Sequence, residues 1–125
     1  MTEFLHLIGR KMVVLKNNQI YRTLDKLWEY IIKDRAGWRC EICHSEKDGL
    51  EAHHINGRGD LWTRWDKRNG IAVCRVGCHD KTKVKAWLKE NDPARHGWLE
   101  RQKAKLHQGL KIDLEAIERR LRSQI

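Results

Sequence analysis

Residues 40–79 read CEICHSEKDGLEAHHINGRGDLWTRWDKRNGIAVCRVGCH. Two close pairs enclose this stretch and contain all the cysteines of the chain: Cys40, Cys43, Cys74 and Cys78. Thiolates from two tight turns are a common ligand set for a tetrahedral structural zinc ion, whereas four unrelated buried cysteines would not form two pairs. The spacing therefore predicts one structural zinc site, with room for a hairpin between the two pairs.

Two other uses of these cysteines were weighed. His44 or His79 can replace one thiol as a zinc ligand, although four sulfurs form the simpler set. A disulfide framework belongs to oxidising compartments. The N-terminal apolar run, residues 4–8, is a poor secretion signal because it is interrupted by His6, and no stretch is long enough to span a membrane. We therefore expect a cytoplasmic protein whose cysteines bind metal.

The composition indicates a single basic domain. The chain has 125 residues and a formal net charge of +9 at pH 7, and the excess of basic residues is spread along its length. A basic surface attracts polyanions, and nucleic acid is the usual one, although a cationic surface can also serve solubility alone. A core of this size gains much stability from a bound metal.

Hydrophobic periodicity predicts the elements around the cysteines. In chain order these are a helix at about residues 23–36, strands at 50–55 and 71–74 joined by a long loop, and a helix from 78 or 79 to 89. Residues 12–15 fit either a strand or a helix.

Cap signals predict two further helices, at about residues 93–108 and 113–124. The first begins at Asp92-Pro93 and is expected to end near Gly109. The sequence thus predicts an α+β protein, mainly helical, with one domain over residues 1–125 and its core at about residues 37–90.

Three histidines are candidates for chemistry. His53 and His54 fall on or at the end of the first core strand, and His79 directly follows a zinc ligand. Strand neighbours point to opposite faces, so the strand must end or twist for both to serve one site. Two imidazoles can bind a divalent cation while leaving positions for phosphate oxygens, and a third, with an ordinary pKa of about 6.5, can take a proton from water.

Asn69 has two interpretations. Asn-Gly is the favoured sequence for a two-residue hairpin turn. Alternatively, the Asn69 side chain braces the loop between the strands through hydrogen bonds to the backbone. Both stay open at this point.

Four segments together resemble the HNH endonuclease family in its four-cysteine, zinc-binding subtype: residues 38–43 (WRCEIC), 51–55 (EAHHI), 68–71 (RNGI) and 74–79 (CRVGCH). Residues 63–66 and the trailing helices are similar to small HNH proteins of phages and prophages. The resemblance covers roughly residues 25–90.

The resemblance implies a ββα-metal fold and a phage- or prophage-encoded, metal-dependent endonuclease that nicks DNA or cleaves both strands. By position, it implies that His54 is the general base, that Asn69 holds the catalytic loop, and that His53 and His79 bind a catalytic cation. That cation would be Mg2+, Mn2+, Ni2+ or Zn2+, because an imidazole at position 53 leaves the choice open. Some members have a further histidine where this chain has Lys83.

Basic and aromatic side chains crowd the loop beside this site. The candidate phosphate contacts are Arg58, Arg64, Lys67, Arg68 and, on the following helix, Lys83, although a solvated surface explains them equally. Trp62 and Trp65 either stack on unpaired bases or pack between loop and core, and packing is the commoner use.

Two other functions stay open: a zinc-stapled DNA-binding module without catalysis, and an RNA-cleaving nuclease on the same fold. Partners other than DNA are a second copy of the chain or a phage packaging or recombination protein. An apolar stripe in the last helix could dock such a partner or belong to the core, and it consists of Leu114, Ile117, Leu121 and Ile125.

Overall fold

A computed structural model describes residues 3–8, 11–46, 49–105, 107 and 111–125, with the backbone alone described for 3–8 and 11–17. The elements are strands β1 (Glu3–Ile8) and β2 (Lys11–Lys16), helix α1 (Asn17–Arg35), strand β3 (Leu50–His54), helix α2 (Leu61–Arg64), a 3-10 turn (Lys67–Asn69), strand β4 (Gly70–Cys74), and helices α3 (Lys81–Asn91), α4 (Pro93–Ala104) and α5 (Leu114–Ser123). The fold is α+β and mainly helical, which confirms the predicted class.

The described strands form two separate antiparallel pairs. β1 pairs with β2 at the N-terminus, so residues 12–15 belong to a strand. β3 pairs with β4 in a register that runs from Leu50 opposite Cys74 to His54 opposite Gly70. The second pair is the predicted hairpin, and residues 55–69 connect its strands.

Helix α1 is the centre of the larger hydrophobic core. Its buried stripe includes Leu24, Trp28 and Ile32, which pack with residues from the hairpin, the connecting loop and α5. The helix begins at Asn17, six residues before the predicted start, because the buried Ile20 extends the stripe by one turn. It ends before Gly37, which has a positive φ of 66° and was the predicted stop.

The connecting loop contains two short helical turns that periodicity did not predict. Each follows an aspartate that caps it: Asp60 accepts a hydrogen bond from the backbone N–H of Trp62, and Asp66 accepts one from that of Arg68. Helical turns of three or four residues are too short to show helical periodicity in a sequence, although the two capping aspartates could have been recognised.

The later helices differ from prediction mainly at their ends. Helix α3 begins at Lys81, not at 78 or 79, because Asp80 caps it through the N–H groups of Thr82 and Lys83, and it ends at Asn91. Helix α4 ends at Ala104, short of 107–108, and the predicted stop at Gly109 lies outside the described residues. Helix α5 follows its cap Asp113 as predicted.

The apolar stripe of α5 lies mostly inside the molecule. Leu114 and Leu121 are buried against α1 and Ile117 is partly buried, whereas Ile125 is 62% exposed. Within the described ranges, no helix combines the length and apolar character that crossing a bilayer requires.

Gly70 brings the hairpin against α1. A Cβ atom built at this position would lie 2.5 Å from Cδ1 of Ile32 and 2.6 Å from Cζ2 of Trp28, which is closer than side chains approach. Only glycine leaves room for this contact between β4 and the helix.

Gly70→Ala tests the close approach. The added methyl group overlaps Ile32 and Trp28, and overpacking of this kind costs about 1–3 kcal/mol, so we expect the free energy of unfolding to fall by that amount. Chemical denaturation followed by tryptophan fluorescence measures the change. Gly59→Ala is the control, because a Cβ at Gly59 meets no atom within 4 Å. Equal stability of the two variants would contradict the close packing.

Candidate metal centre and candidate active site

The four cysteines form one compact group. Their Sγ atoms all lie within 4.8 Å of one another, and those of Cys43 and Cys74 are 3.6 Å apart. Four thiolates at the usual zinc–sulfur distance would be about 3.8 Å apart. The group could therefore hold a metal ion such as zinc, and neither His44 nor His79 belongs to it.

The electrostatics of these thiols also fit a bound cation. Burial raises the pKa of Cys78 to about 12, and burial likewise raises that of Cys74. Burial acts in the same direction on Cys40, but hydrogen bonds from the backbones of Cys43, Cys74 and Ile42 outweigh it and lower the pKa of Cys40 to about 7. Four neighbouring sulfurs cannot all ionise unaided, so a metal dication is the natural partner for them as thiolates.

One cavity of about 480 Å³ is bordered by all three candidate histidines: His53 and His54 of β3, and His79, which follows Cys78. The rings of His53 and His79 meet edge to face with centroids 5.2 Å apart. His54, the strand neighbour of His53, stacks on Trp28 of α1 with centroids 3.8 Å apart and planes 8° from parallel. The structure therefore brings the three predicted histidines together, although the pair stands on opposite faces of the strand.

His54 is held as a neutral imidazole. Burial is the main cause that lowers its pKa to about 4; the Asp25 carboxylate opposes this shift, and the guanidinium groups of Arg64 and Arg58 add to it. Its Nε2 atom is shielded from solvent and has no hydrogen-bond partner in the described part of the chain. A neutral ring with an unpartnered nitrogen beside a cavity is suited to accept a proton or a hydrogen bond.

Glu51 is a potential ligand that sequence reasoning missed. It lies two residues before His53 and thus on the same face of β3, and its Oε2 is 3.3 Å from Nε2 of His79. Burial, followed by the charges of His79 and Lys81, lowers the pKa of His53. Two imidazoles and a carboxylate are reasonable donors for a divalent cation, but among described residues only the four sulfurs lie within 4.8 Å as a set.

Asn69 braces the loop that follows β3. It is fully buried, its Oδ1 accepts a hydrogen bond from the backbone N–H of Asn56 at 2.7 Å, and its Nδ2 donates to the carbonyl of Gly57 at 3.4 Å. The alternative of a two-residue hairpin turn is wrong, because residues 55–69 separate the strands. The amide therefore fixes the backbone beside His54.

The predicted phosphate contacts occupy different surroundings. Arg58 is exposed and borders the histidine cavity, as does Lys81, which the sequence reasoning did not select. Arg64 is largely buried and makes two hydrogen bonds to Asp25, of 3.0 and 2.7 Å. The guanidinium group of Arg64 is thus engaged in a structural ion pair. Lys83 is exposed, and its Nζ donates to the carbonyl of Gly77 at 2.7 Å.

Lys67 and Arg68 lie on another surface, in a groove that they share with residues of α4. Arg68 forms an ion pair with Asp66 and lies over the ring of Trp98 at 3.6 Å. These two basic residues are not among those that border the histidine cavity.

The two loop tryptophans have different roles. Trp65 is buried, and its Nε1 donates to Asp25 at 2.8 Å, so it packs between loop and core. Trp62 is 48% exposed, and its ring stacks on that of His107 with centroids 5.6 Å apart. Sequence alone could not separate them, because both stand in the same short apolar and basic segment.

Comparison of the chain with protein-family models, curated proteins and solved structures finds no match. The side chains of the two sites therefore carry the functional assignment.

Cys74→Ser tests the metal centre. Structural zinc contributes about 10–16 kcal/mol in small domains, which is comparable to or larger than the total stability of a domain, about 5–15 kcal/mol. We expect the variant to lose its metal and to be largely unfolded at room temperature, as measured by elemental analysis and circular dichroism.

His44→Asn is the control for this variant. His44 stands outside the sulfur group, and asparagine tolerates its positive φ of 63°. It should keep both metal and fold. Retention of metal by Cys74→Ser, or its loss from His44→Asn, would contradict the four-sulfur site.

Proposed function

We propose that this protein is a metal-dependent endonuclease of the HNH type that hydrolyses phosphodiester bonds in DNA, with a ββα-metal core formed by β3, β4 and α3. The observation that carries the proposal is the meeting of His53, His54 and His79 at one cavity beside a four-cysteine group. An origin in a phage or prophage rests only on the resemblance of the sequence.

Zinc is the proposed structural metal, because four thiolates in a tetrahedron are its characteristic set. Cys74 ends β4 and Cys78 stands shortly before α3, so the sulfurs fasten the hairpin to the start of that helix. His79 is thereby fixed opposite His53. The role assigned to the zinc is to position these imidazoles.

His53 and His79 are the proposed ligands of a second, divalent cation, with Glu51 close enough to assist. When bound, such a cation would stabilise the negative charge that develops on the phosphate and on the departing oxygen. Two imidazole ligands are compatible with Mg2+, Mn2+, Ni2+ and Zn2+, so they do not identify the metal.

His54 is the proposed general base. A ring nitrogen of His54 would take a proton from a water molecule, whose oxygen would form the new bond to phosphorus while the bond to the 3′ oxygen breaks. Stacking on Trp28 holds the plane of the ring. Asn69 contributes by fixing the loop that begins directly after His54.

Basic residues at the rim of the cavity supply the attraction for DNA. Arg58 and Lys81 border the histidines, and the net charge of +9 extends the attraction over the surface. A DNA-binding module without catalysis shares this charge, but it has no need for three imidazoles at one cavity. An RNA-cleaving nuclease shares the cavity, so substrate competition separates it.

His54→Phe tests the base. Phenylalanine keeps a ring against Trp28 but offers no nitrogen, and loss of a general base lowers rates by about 100- to 10,000-fold. We expect plasmid cleavage to fall by that factor with each of Mg2+, Mn2+, Ni2+ and Zn2+, while zinc content and thermal stability are preserved. His96→Phe, on α4, should cleave normally. Cleavage by His54→Phe within about twofold of wild type would rule out the assignment.

Arg58→Ala tests the polyanion contact at the cavity rim. Each phosphate contact with duplex DNA adds about 0.9 to the slope of log affinity against log salt, so the slope should become shallower by about that amount. Filter binding over a range of salt concentrations measures it, and Arg119→Ala on α5 serves as the control.

RNA of the same length should compete less well than DNA; stronger competition by RNA would favour the RNA-cleaving alternative.

A further inference from the structure

A second cavity, of about 500 Å³, lies beside the loop that leaves the histidine site. Asn56, Asp60 and Trp62 border it from the loop, and Lys103 and His107 are among the residues that border it from the end of α4 and beyond. None of these residues takes part in the proposed hydrolysis, and their chemistry differs from that of the histidine cavity.

His107 provides a hydrogen-bonding group at this cavity. Its side chain is only 9% exposed, and its Nδ1 lies 2.6 Å from Oδ2 of Asp60. Since an ionised carboxylate only accepts hydrogen bonds, Nδ1 donates to it. The other nitrogen, Nε2, is buried without a partner among the residues that the structure describes. A buried polar atom in that state costs free energy, which a hydrogen bond to a ligand would offset.

Trp62 adds an aromatic surface to the same cavity. Its ring stacks on His107, yet 48% of the residue remains exposed, whereas Trp65, three positions later, is fully buried. Lys103 and Lys105 add exposed positive charge along another wall. An aromatic surface, an imidazole nitrogen and ammonium groups match respectively the face, the edge and the phosphates of a nucleotide.

The loop between the cavities sets their separation. Asp60 lies six positions after His54 in the chain, so their Cα atoms lie at most about 22 Å apart. That is no more than about six base steps of a DNA strand at 3.4 Å each. A single strand is therefore long enough to reach from one cavity to the other.

We propose that this second cavity binds an unpaired nucleobase of the DNA substrate, stacked on Trp62 with its edge at Nε2 of His107 and neighbouring phosphates at Lys103 and Lys105. The inference rests on the proposed function and names its substrate class. That class is DNA with an unpaired base within a few nucleotides of the cleaved bond, such as a single strand, a flap or a mismatch.

Trp62→Ala tests the stacking in the zinc-loaded 125-residue chain carrying His54→Phe, so that binding is measured without cleavage. The probe is a single-stranded oligonucleotide, and a stacked base contributes enough affinity for its loss to weaken binding about 5- to 100-fold. Affinity for a fully paired duplex should change by less than about twofold, because no base is free to enter the cavity.

Two variants control for loss of aromatic surface. Trp38→Ala removes a tryptophan with the same 48% exposure near the end of α1, and it should leave affinity unchanged. Trp62→Phe should retain most of the affinity, because phenylalanine also stacks. His107→Phe keeps a ring under Trp62 but removes both ring nitrogens, including Nε2, so it should weaken binding to the single strand by about 3- to 10-fold.

A probe with 2-aminopurine reports stacking directly. Its fluorescence should be quenched on binding to the parent chain and restored in Trp62→Ala. Equal affinities of Trp62→Ala and Trp38→Ala for the single strand, or an equal loss on duplex and single strand, would overturn the proposal. Plasmid cleavage by the chain with native His54, measured separately, distinguishes failure of this cavity from failure of the nuclease assignment.

Discussion

The meeting of four sulfur atoms is the constraint on which the rest of the fold depends. It ties the turn after α1, at Cys40 and Cys43, to the end of β4 and to the segment before α3, at Cys74 and Cys78. Burial favours the neutral thiols of Cys74 and Cys78, so the four sulfurs would become thiolates together only with a bound cation. Because His79 adjoins Cys78, the same closure fixes the position of an imidazole opposite β3.

Helix α1 provides the second constraint, since it sets the environment of His54. Trp28 stacks on the imidazole, and its Nε1 donates to the backbone carbonyl of Asp66, so one side chain supports both the strand and the loop. One turn earlier, Asp25 accepts from Arg64 and Trp65. The helix thus buries the ring, which lowers its pKa, and holds the loop that frames it.

Local patterns predicted the parts of this arrangement that depend on short spacings. Cysteine spacing anticipated the sulfur group, and apolar periodicity anticipated α1 and the hairpin. Pairings between distant residues had no such signal: Asp25 and Arg64 are 39 positions apart, and nothing local marks the arginine as a structural ion pair. Glu51 was accessible to sequence reasoning, because residues two apart on a strand share a face with each other. The exposure of Trp62 depends on tertiary packing and could not be predicted from the sequence.

The loop after β3 is held from both sides, and this bears on how a substrate would be oriented. The backbone N–H of Asn56 is bound by the buried Asn69, and its side-chain Nδ2 donates to the carbonyl of Leu99 in α4 at 2.9 Å. Movement of Asn56 away from Asn69 or from Leu99 would break one of these hydrogen bonds. In the nuclease proposed above, a strand anchored in one cavity would meet the other in a fixed register. Preorganisation of this kind lowers the entropic part of a reaction barrier, because the protein holds the reacting groups in place before the substrate arrives.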